Sequence, residues 1–283
     1  MKRRDLLKAL VKGVILTAFV PEVFAEISRI PTTTSPEKYD DHIKDYLYKM
    51  RHFNECHAED VYLDRKQFRL LKSSLERLKR LQDLVGHGNF HLLSFDRALR
   101  LARTYSLVGR FRKDELDFLE MIFYEDAQHL GFFGEKPLTN LTDRIKKRDV
   151  IKLQCTGNYL YKGLSFETYK KIKRKVGHQI TLTSGVRGIT KQFMLFLNKA
   201  YNSHGNLSLA SRSLAPPGYS FHGIGDFDVG QAGFGADNFS ERFTTTEVYK
   251  KLVYLGYANL RYPSDNLLGV RFEPWHIQVN SKG

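Results

Sequence analysis

Two short runs near the end of the chain hold the residue types of a metal-assisted hydrolytic centre: SFHGIGDFD at residues 220–228 and EPWH at residues 273–276. They supply two imidazoles, carboxylates for a metal, and one further carboxylate to serve as a base. A catalytic zinc ion takes three protein ligands from His, Asp or Glu and keeps a fourth position for the water it activates. His222 and His276 are the nitrogen ligands this inventory offers. Asp228 is the preferred third ligand, because Gly223 and Gly225 let the backbone turn between it and His222. Asp226 is the alternative, and otherwise reads as a solvent-facing carboxylate or one that supports a ligand. Glu273 precedes His276 by three residues in an apolar stretch read as a strand. Pro274 between them suits an edge or a bulge, and such an irregularity would turn both side chains to one side.

Three runs carry a family resemblance. LAPPGYS at 214–220 and LRYPSDNLLGVRFEPWH at 260–276 resemble the VanY-type D,D-carboxypeptidases, zinc enzymes that trim the terminal D-Ala from cell-wall stem peptides. TSGVRGITKQ over residues 183–192 resembles the SGYRS…Q element of that family, and the runs follow the family's order. The resemblance implies that Glu273 acts as general base and then as proton donor to the leaving amine. It also implies that Arg187 meets a substrate carboxylate or the oxyanion, that Gln192 and Ser220 bind substrate, and that Trp275 walls the D-Ala methyl. Guanidinium forks and carboxylates are matched for such work, although a lone Trp is more often core. One departure stands out. The family pattern SxHxxGxAxD puts its aspartate where this chain has Val229, so Asp228 comes one residue early and Asp226 three early. On this reading the cofactor is Zn2+, the partner is a peptidoglycan stem peptide, and the function is D,D-carboxypeptidase. L,D-carboxypeptidase, endopeptidase and a silent wall-binding protein are the other readings the motifs admit.

The elements that must position these residues form an α+β chain. Residues 1–25 begin MKRRDLLK, continue through an apolar stretch interrupted by Lys12 and Pro21, and end VFA. This resembles a twin-arginine export signal, cleaved after Ala25, and implies a periplasmic or otherwise extracytoplasmic enzyme. Residues 26–35 read as linker, 36–149 as a helical lobe, and 150–283 as a small antiparallel-sheet catalytic domain. In the lobe, Phe68, Leu71, Leu75, Leu78 and Val85 mark one amphipathic helix, and Leu116, Leu119, Phe123 and Leu130 a second. Glu115, Glu120, Glu125, Asp126 and His129 read as a charged outer face of that second helix. Helices are expected over 166–176 and 245–255, and strands over 180–184 and 269–279.

Net charge is +14 over 283 residues; the first 25 hold five Lys/Arg and two acids, which leaves +11 for the rest. That favours peripheral contact with an anionic envelope surface, while no nucleic-acid motif is present, so a nucleic-acid partner is not expected. The clusters HAED at 57–60 and HGNFH at 87–91 read as surface or turn residues. Cys56 and Cys155 are not spaced as metal ligands, and an oxidising compartment would allow them to pair.

Overall fold

The computed structural model describes residues 45–279. The expected export signal at 1–25 and the expected linker at 26–35 lie outside the described residues. No helix among the described residues is long and apolar enough to cross a membrane.

The first long helix, α1 (Arg65–Val85), opens on a reciprocal cap: Gln67 N donates to Asp64 Oδ1 at 2.7 Å, and Asp64 N donates to the Gln67 side chain at 3.0 Å. Its buried face runs through Leu70, Leu71, Leu75, Leu78 and Leu81, a 3–4 spacing. Phe68, expected on this face, is half-buried and stacks on Tyr201 at 5.7 Å. Helices α2 (Phe95–Thr104) and α3 (Lys113–Tyr124) pack against it. The expected second helix ends earlier than its pattern suggested. Glu125 caps α3, and Leu130 sits in a separate 3-10 turn, Ala127–Leu130. Glu115 is also not on an outer face. It is fully buried, taking Arg77 Nε at 3.0 Å and Arg112 N at 2.8 Å, so it ties α3 to α1.

A short hairpin follows, β1 (Val150–Lys152) with β2 (Tyr159–Tyr161), Val150 opposite Tyr161. After it come α4 (Leu164–Val176), β3 (Ile180–Ser184), α5 (Ile189–Asn202) and α6 (Leu207–Ser213). Then come β4 (Phe227–Gln231), α7 (Glu247–Tyr254) and β5 (His276–Ile277). Helices α5 and α6 fill the same core as α1–α3, with Phe193, Phe196, Leu197, Ala200 and Ala210 buried beside Leu71, Leu78 and Phe123. A second core lies between α4, α7 and the antiparallel sheet of order β3-β4-β5. Into it point Ile180, Leu182, Phe227, Val229 and Ile277 from the strands, and Trp275 from the turn before β5.

Two irregularities in this sheet matter for function. Leu182 lies opposite Val229 and Ser184 opposite Asp228, so two steps on β3 face one on β4, a bulge that brings Ser184 beside Asp228. The strand expected over 269–279 is reduced to His276–Ile277, because Glu273-Pro274-Trp275-His276 turns, His276 N donating to Glu273 O at 3.1 Å. Pro274 has no N–H for a ladder, which favours the turn. Cys56 and Cys155 are exposed and unpaired, so the disulfide considered from the sequence is not formed. Asp60 of the HAED run is not a surface residue: its carboxylate is buried and binds Arg212 of α6 at 2.6 Å.

Candidate metal centre

Strand parity brings carboxylates to the imidazole side. On β4 alternate side chains face opposite sides of the sheet. Phe227 and Val229 enter the apolar core, so Asp228 and the preceding Asp226 share the other side. Asp228 is the cross-strand partner of His276, and such pairs stand side by side. An aspartate at position 229 in this strand would be buried among Leu182, Trp275 and Ile277. The one-residue shift from the family pattern therefore keeps a carboxylate on the imidazole side.

His222 reaches the same point from the 3-10 turn Phe221–Gly223. The residues after it return to β4 through Gly225, whose φ of +140° is a conformation that side chains rarely adopt. The turn after β3 closes the arrangement. Val186 N donates to Tyr159 O at 2.8 Å, Arg187 N to His222 O at 3.1 Å and Gly188 N to His91 O at 2.8 Å. Gly185 has no room for a side chain, since a Cβ there would lie 2.0 Å from Tyr159 O. Its carbonyl accepts from His222 Nδ1 at 2.8 Å, which fixes the tautomer and leaves the Nε2 lone pair free.

The three side chains converge. Asp228 Oδ1 lies 3.2 Å from His222 Nε2 and 3.3 Å from His276 Nδ1, and the three ligand atoms fall within 4.8 Å of one another. Donors about 2.0–2.1 Å from a tetrahedral ion stand roughly 3.3 Å apart, so the two spacings from Asp228 to the imidazoles suit zinc. All three side chains are buried, and Asp228 Oδ1 has no hydrogen-bond partner. A buried carboxylate oxygen without a hydrogen-bond partner, set between two imidazole nitrogens, is costly unless a cation occupies the space between them. The residues fit the ion.

Supporting groups hold each ligand. His276 Nε2 donates to Asp226 Oδ2 at 3.0 Å, the carboxylate–histidine pairing that orients metal ligands. Asp226 Oδ1 accepts from Val279 N at 2.9 Å, and Arg261 Nε bonds Oδ2 while its guanidinium lies over the Phe221 ring at 3.4 Å. Arg187 Nη2 binds Asp228 Oδ2 at 2.6 Å and its Nε donates to Ser184 Oγ at 2.8 Å. Burial pushes the Asp228 carboxyl up, but the neighbouring His222 imidazole and Arg187 guanidinium outweigh it and hold it well below the ordinary carboxylate range. In His222, burial and then the Arg187 charge lower the pKa, favouring the neutral imidazole that ligates a metal. Burial acts the same way on His276 but is overcome by the carboxylates of Asp226, Asp228 and Glu273, so in the metal-free site its pKa is raised. Glu273 Oε2 stands 3.4 Å from His276 Nδ1, beside the ligand atoms.

The remaining sequence candidates divide. Ser220 is buried next to His222, and its hydroxyl makes no hydrogen bond among the described residues. Gln192 is buried, and its amide is used inside the protein: Nε2 donates to Arg187 O at 2.8 Å and Oε1 accepts from Gly218 N at 2.8 Å. It shapes the Arg187 turn and the 214–220 segment. Trp275 is 2% exposed and belongs to the core between sheet and helices, where Phe239 meets it edge-on at 6.1 Å. It does not wall the site. Sequence reading left Arg261 and Tyr262 without roles. Tyr262 packs edge-on against the His276 ring at 5.2 Å. The available signal was the parity of Asp226 and Asp228, which places a second carboxylate, in need of a partner, on the ligand side.

Residues 163–281 match the family model VanY, D-alanyl-D-alanine carboxypeptidase. No curated protein matches the chain. Similar solved structures include the LdcB LD-carboxypeptidase, described as revealing the molecular basis of peptidoglycan recognition. It is 22% identical with a TM-score of 0.41, over 49% of this chain and 71% of that one. Two others are a VanY D,D-pentapeptidase of a VanB-type vancomycin-resistance cassette with Zn(II), and VanYB with D-alanine-D-alanine. Both are 23% identical over 53% of this chain and 86% of theirs, with TM-scores of 0.39 and 0.40. The segment matched by the family model holds His222, Asp228, Glu273 and His276, the residues that converge on the candidate metal centre.

Proposed function

We propose that the protein is an extracytoplasmic D,D-carboxypeptidase that removes the terminal D-Ala from peptidoglycan stem peptides, with His222, Asp228 and His276 holding its zinc. The observation that carries this reading is the unsatisfied Asp228 Oδ1 between two imidazole nitrogens, with the Glu273 carboxylate 3.4 Å from one of them. The family match over residues 163–281 and the order of the three sequence runs supply the substrate class. Zinc bound there supplies Lewis-acid polarisation of the scissile carbonyl and lowers the pKa of water.

The chain's own groups do the rest. Glu273 takes a proton from the attacking water and returns it to the departing amine nitrogen, within reach of one carboxylate pivoting about its Cγ. Arg187 holds Asp228 through Oδ2, which turns Oδ1 toward the imidazoles. Its Nη1 makes no hydrogen bond among the described residues and is free to meet the oxygen that gains charge. Gln192 fixes the Arg187 carbonyl and so the direction of that side chain. The test is release of D-Ala from a stem pentapeptide, with the corresponding tetrapeptide as second substrate, by wild type and Glu273→Ala. Release from the pentapeptide, lost in the variant, supports the assignment. Release from the tetrapeptide alone moves the specificity to L,D, and release from neither refutes the reading.

A further inference from the structure

A carboxypeptidase has to recognise a free terminal carboxylate, and Arg187, first placed in that role, is held by Asp228 with only Nη1 left, which the oxygen that gains charge takes. Arg187 is bound to Asp228, Arg261 to Asp226 and Arg212 to Asp60. Arg271 differs from all of them. It is half-buried two residues before Glu273, its Nε is buried with no hydrogen-bond partner, and no carboxylate pairs with it among the described residues. Its guanidinium is held between two rings, 4.7 Å from the centroid of Phe53 and 4.8 Å from that of Trp275. Its backbone is fixed by donation to Arg212 O at 2.9 Å. Burial lowers its pKa, countered by Glu273, Asp228 and Glu241, none of which pairs with it. Lys199, whose Nζ donates to Asn54 Oδ1 at 3.1 Å, adds a second positive charge nearby.

An unpaired, desolvated guanidinium clamped by its faces leaves its edge, where the N–H donors lie, for a planar anion. Two residues of chain separate Arg271 from Glu273 by no more than about 7 Å. The terminal carboxylate of a substrate cut one residue from its end lies at a similar step beyond the scissile bond. We infer that Arg271 binds the terminal carboxylate of the substrate, and so makes the enzyme an exopeptidase. The inference rests on the carboxypeptidase reading above.

Two measurements test it, using a stem pentapeptide with a free terminal carboxylate and the same peptide ending in a carboxamide. Wild type is expected to prefer the acid. Arg271→Met should lower kcat/KM for the acid about 10- to 100-fold, chiefly through KM, and leave the amide unchanged, with Arg271→Lys in between. The second readout needs no turnover. Trp275 is the single tryptophan of the chain and lies against Arg271, so titrating wild type with D-Ala-D-Ala should change its fluorescence saturably. D-Ala-D-Ala amide should bind more weakly, and the difference should vanish in Arg271→Met with an unchanged circular dichroism spectrum. Equal loss for acid and amide, or undiminished discrimination in the variant, overturns the role of Arg271 while the carboxypeptidase reading stands. A wild type that cleaves neither peptide refutes the function itself, and the inference with it.

Discussion

The ion pair of Asp60 and Arg212 offers a quantitative test of how the segment before α1 is held to α6. Asp60 accepts from Arg212 Nη1 at 2.6 Å and Nη2 at 2.9 Å, from Asn206 Nδ2 at 2.7 Å and from His57 N at 3.0 Å. Both side chains are at most 6% exposed. Burial alone raises the Asp60 pKa, but the hydrogen bonds from Arg212, Asn206 and His57 prevail and bring it down to about 2, from 3.8. That difference corresponds to about 2 kcal/mol of stability. Because the folded-state pKa is the lower one, the contribution is complete above about pH 4 and is lost as pH falls toward 2. Removing one partner costs more than the linkage figure, since it strands the other charge in the interior; Asp60→Asn should lose about 3–5 kcal/mol at pH 7. Arg212→Met should lose a similar amount, and the double variant clearly less than the sum. Urea unfolding of the four proteins at pH 7 measures this. Additive losses, or a single-variant loss below about 1 kcal/mol, would refute the argument that the pair is desolvated and mutually dependent.

Other expectations follow from the same structure. Asp226→Asn should weaken zinc binding about 10- to 100-fold in a chelator competition, because His276 loses the carboxylate that orients it. His91 has its pKa pushed down to about 4, by burial first and then by the charges of Lys191 and Arg187, with His222 adding to them. The unfolded chain takes up that proton near pH 6.5, so stability should fall by up to about 3 kcal/mol between pH 6.5 and 4, and His91→Asn should flatten that slope in urea titrations. Gly185→Ala should cost about 1–3 kcal/mol in the same assay and reduce zinc content, since a Cβ would meet the Tyr159 carbonyl at 2.0 Å in the turn that orients His222.

Local patterns carried much of the architecture. The strand over Ile180–Ser184 was legible from alternation, and the apolar face of α1 from its period. Helix α7 was legible from the threonines before it, Thr246 accepting from Tyr249 N as its cap. The residues of the candidate metal site were legible as types and spacings, and strand parity explains why Asp228 rather than position 229 faces the imidazoles. What was not legible depended on contacts distant in sequence. Glu115 looks like a solvent-facing helix residue until Arg77 of α1 comes against it. Trp275 looks like a pocket wall until the turn at Pro274 rotates it into the core. Gln192 has the chemistry to bind substrate, but its partners, Arg187 O and Gly218 N, lie on two separate loops. The bulge at Leu182–Ser184 has no sequence mark at all, yet it sets Ser184 beside Asp228.

The central claim is that His222, Asp228 and His276 bind one zinc while Glu273 acts beside it without being a ligand. Metal analysis of the purified wild type, Asp228→Ala and Glu273→Ala proteins tests this most directly. The account predicts close to one zinc per chain in wild type and in Glu273→Ala, and little in Asp228→Ala. Wild type with well under one zinc, or Asp228→Ala retaining as much as wild type, would contradict it.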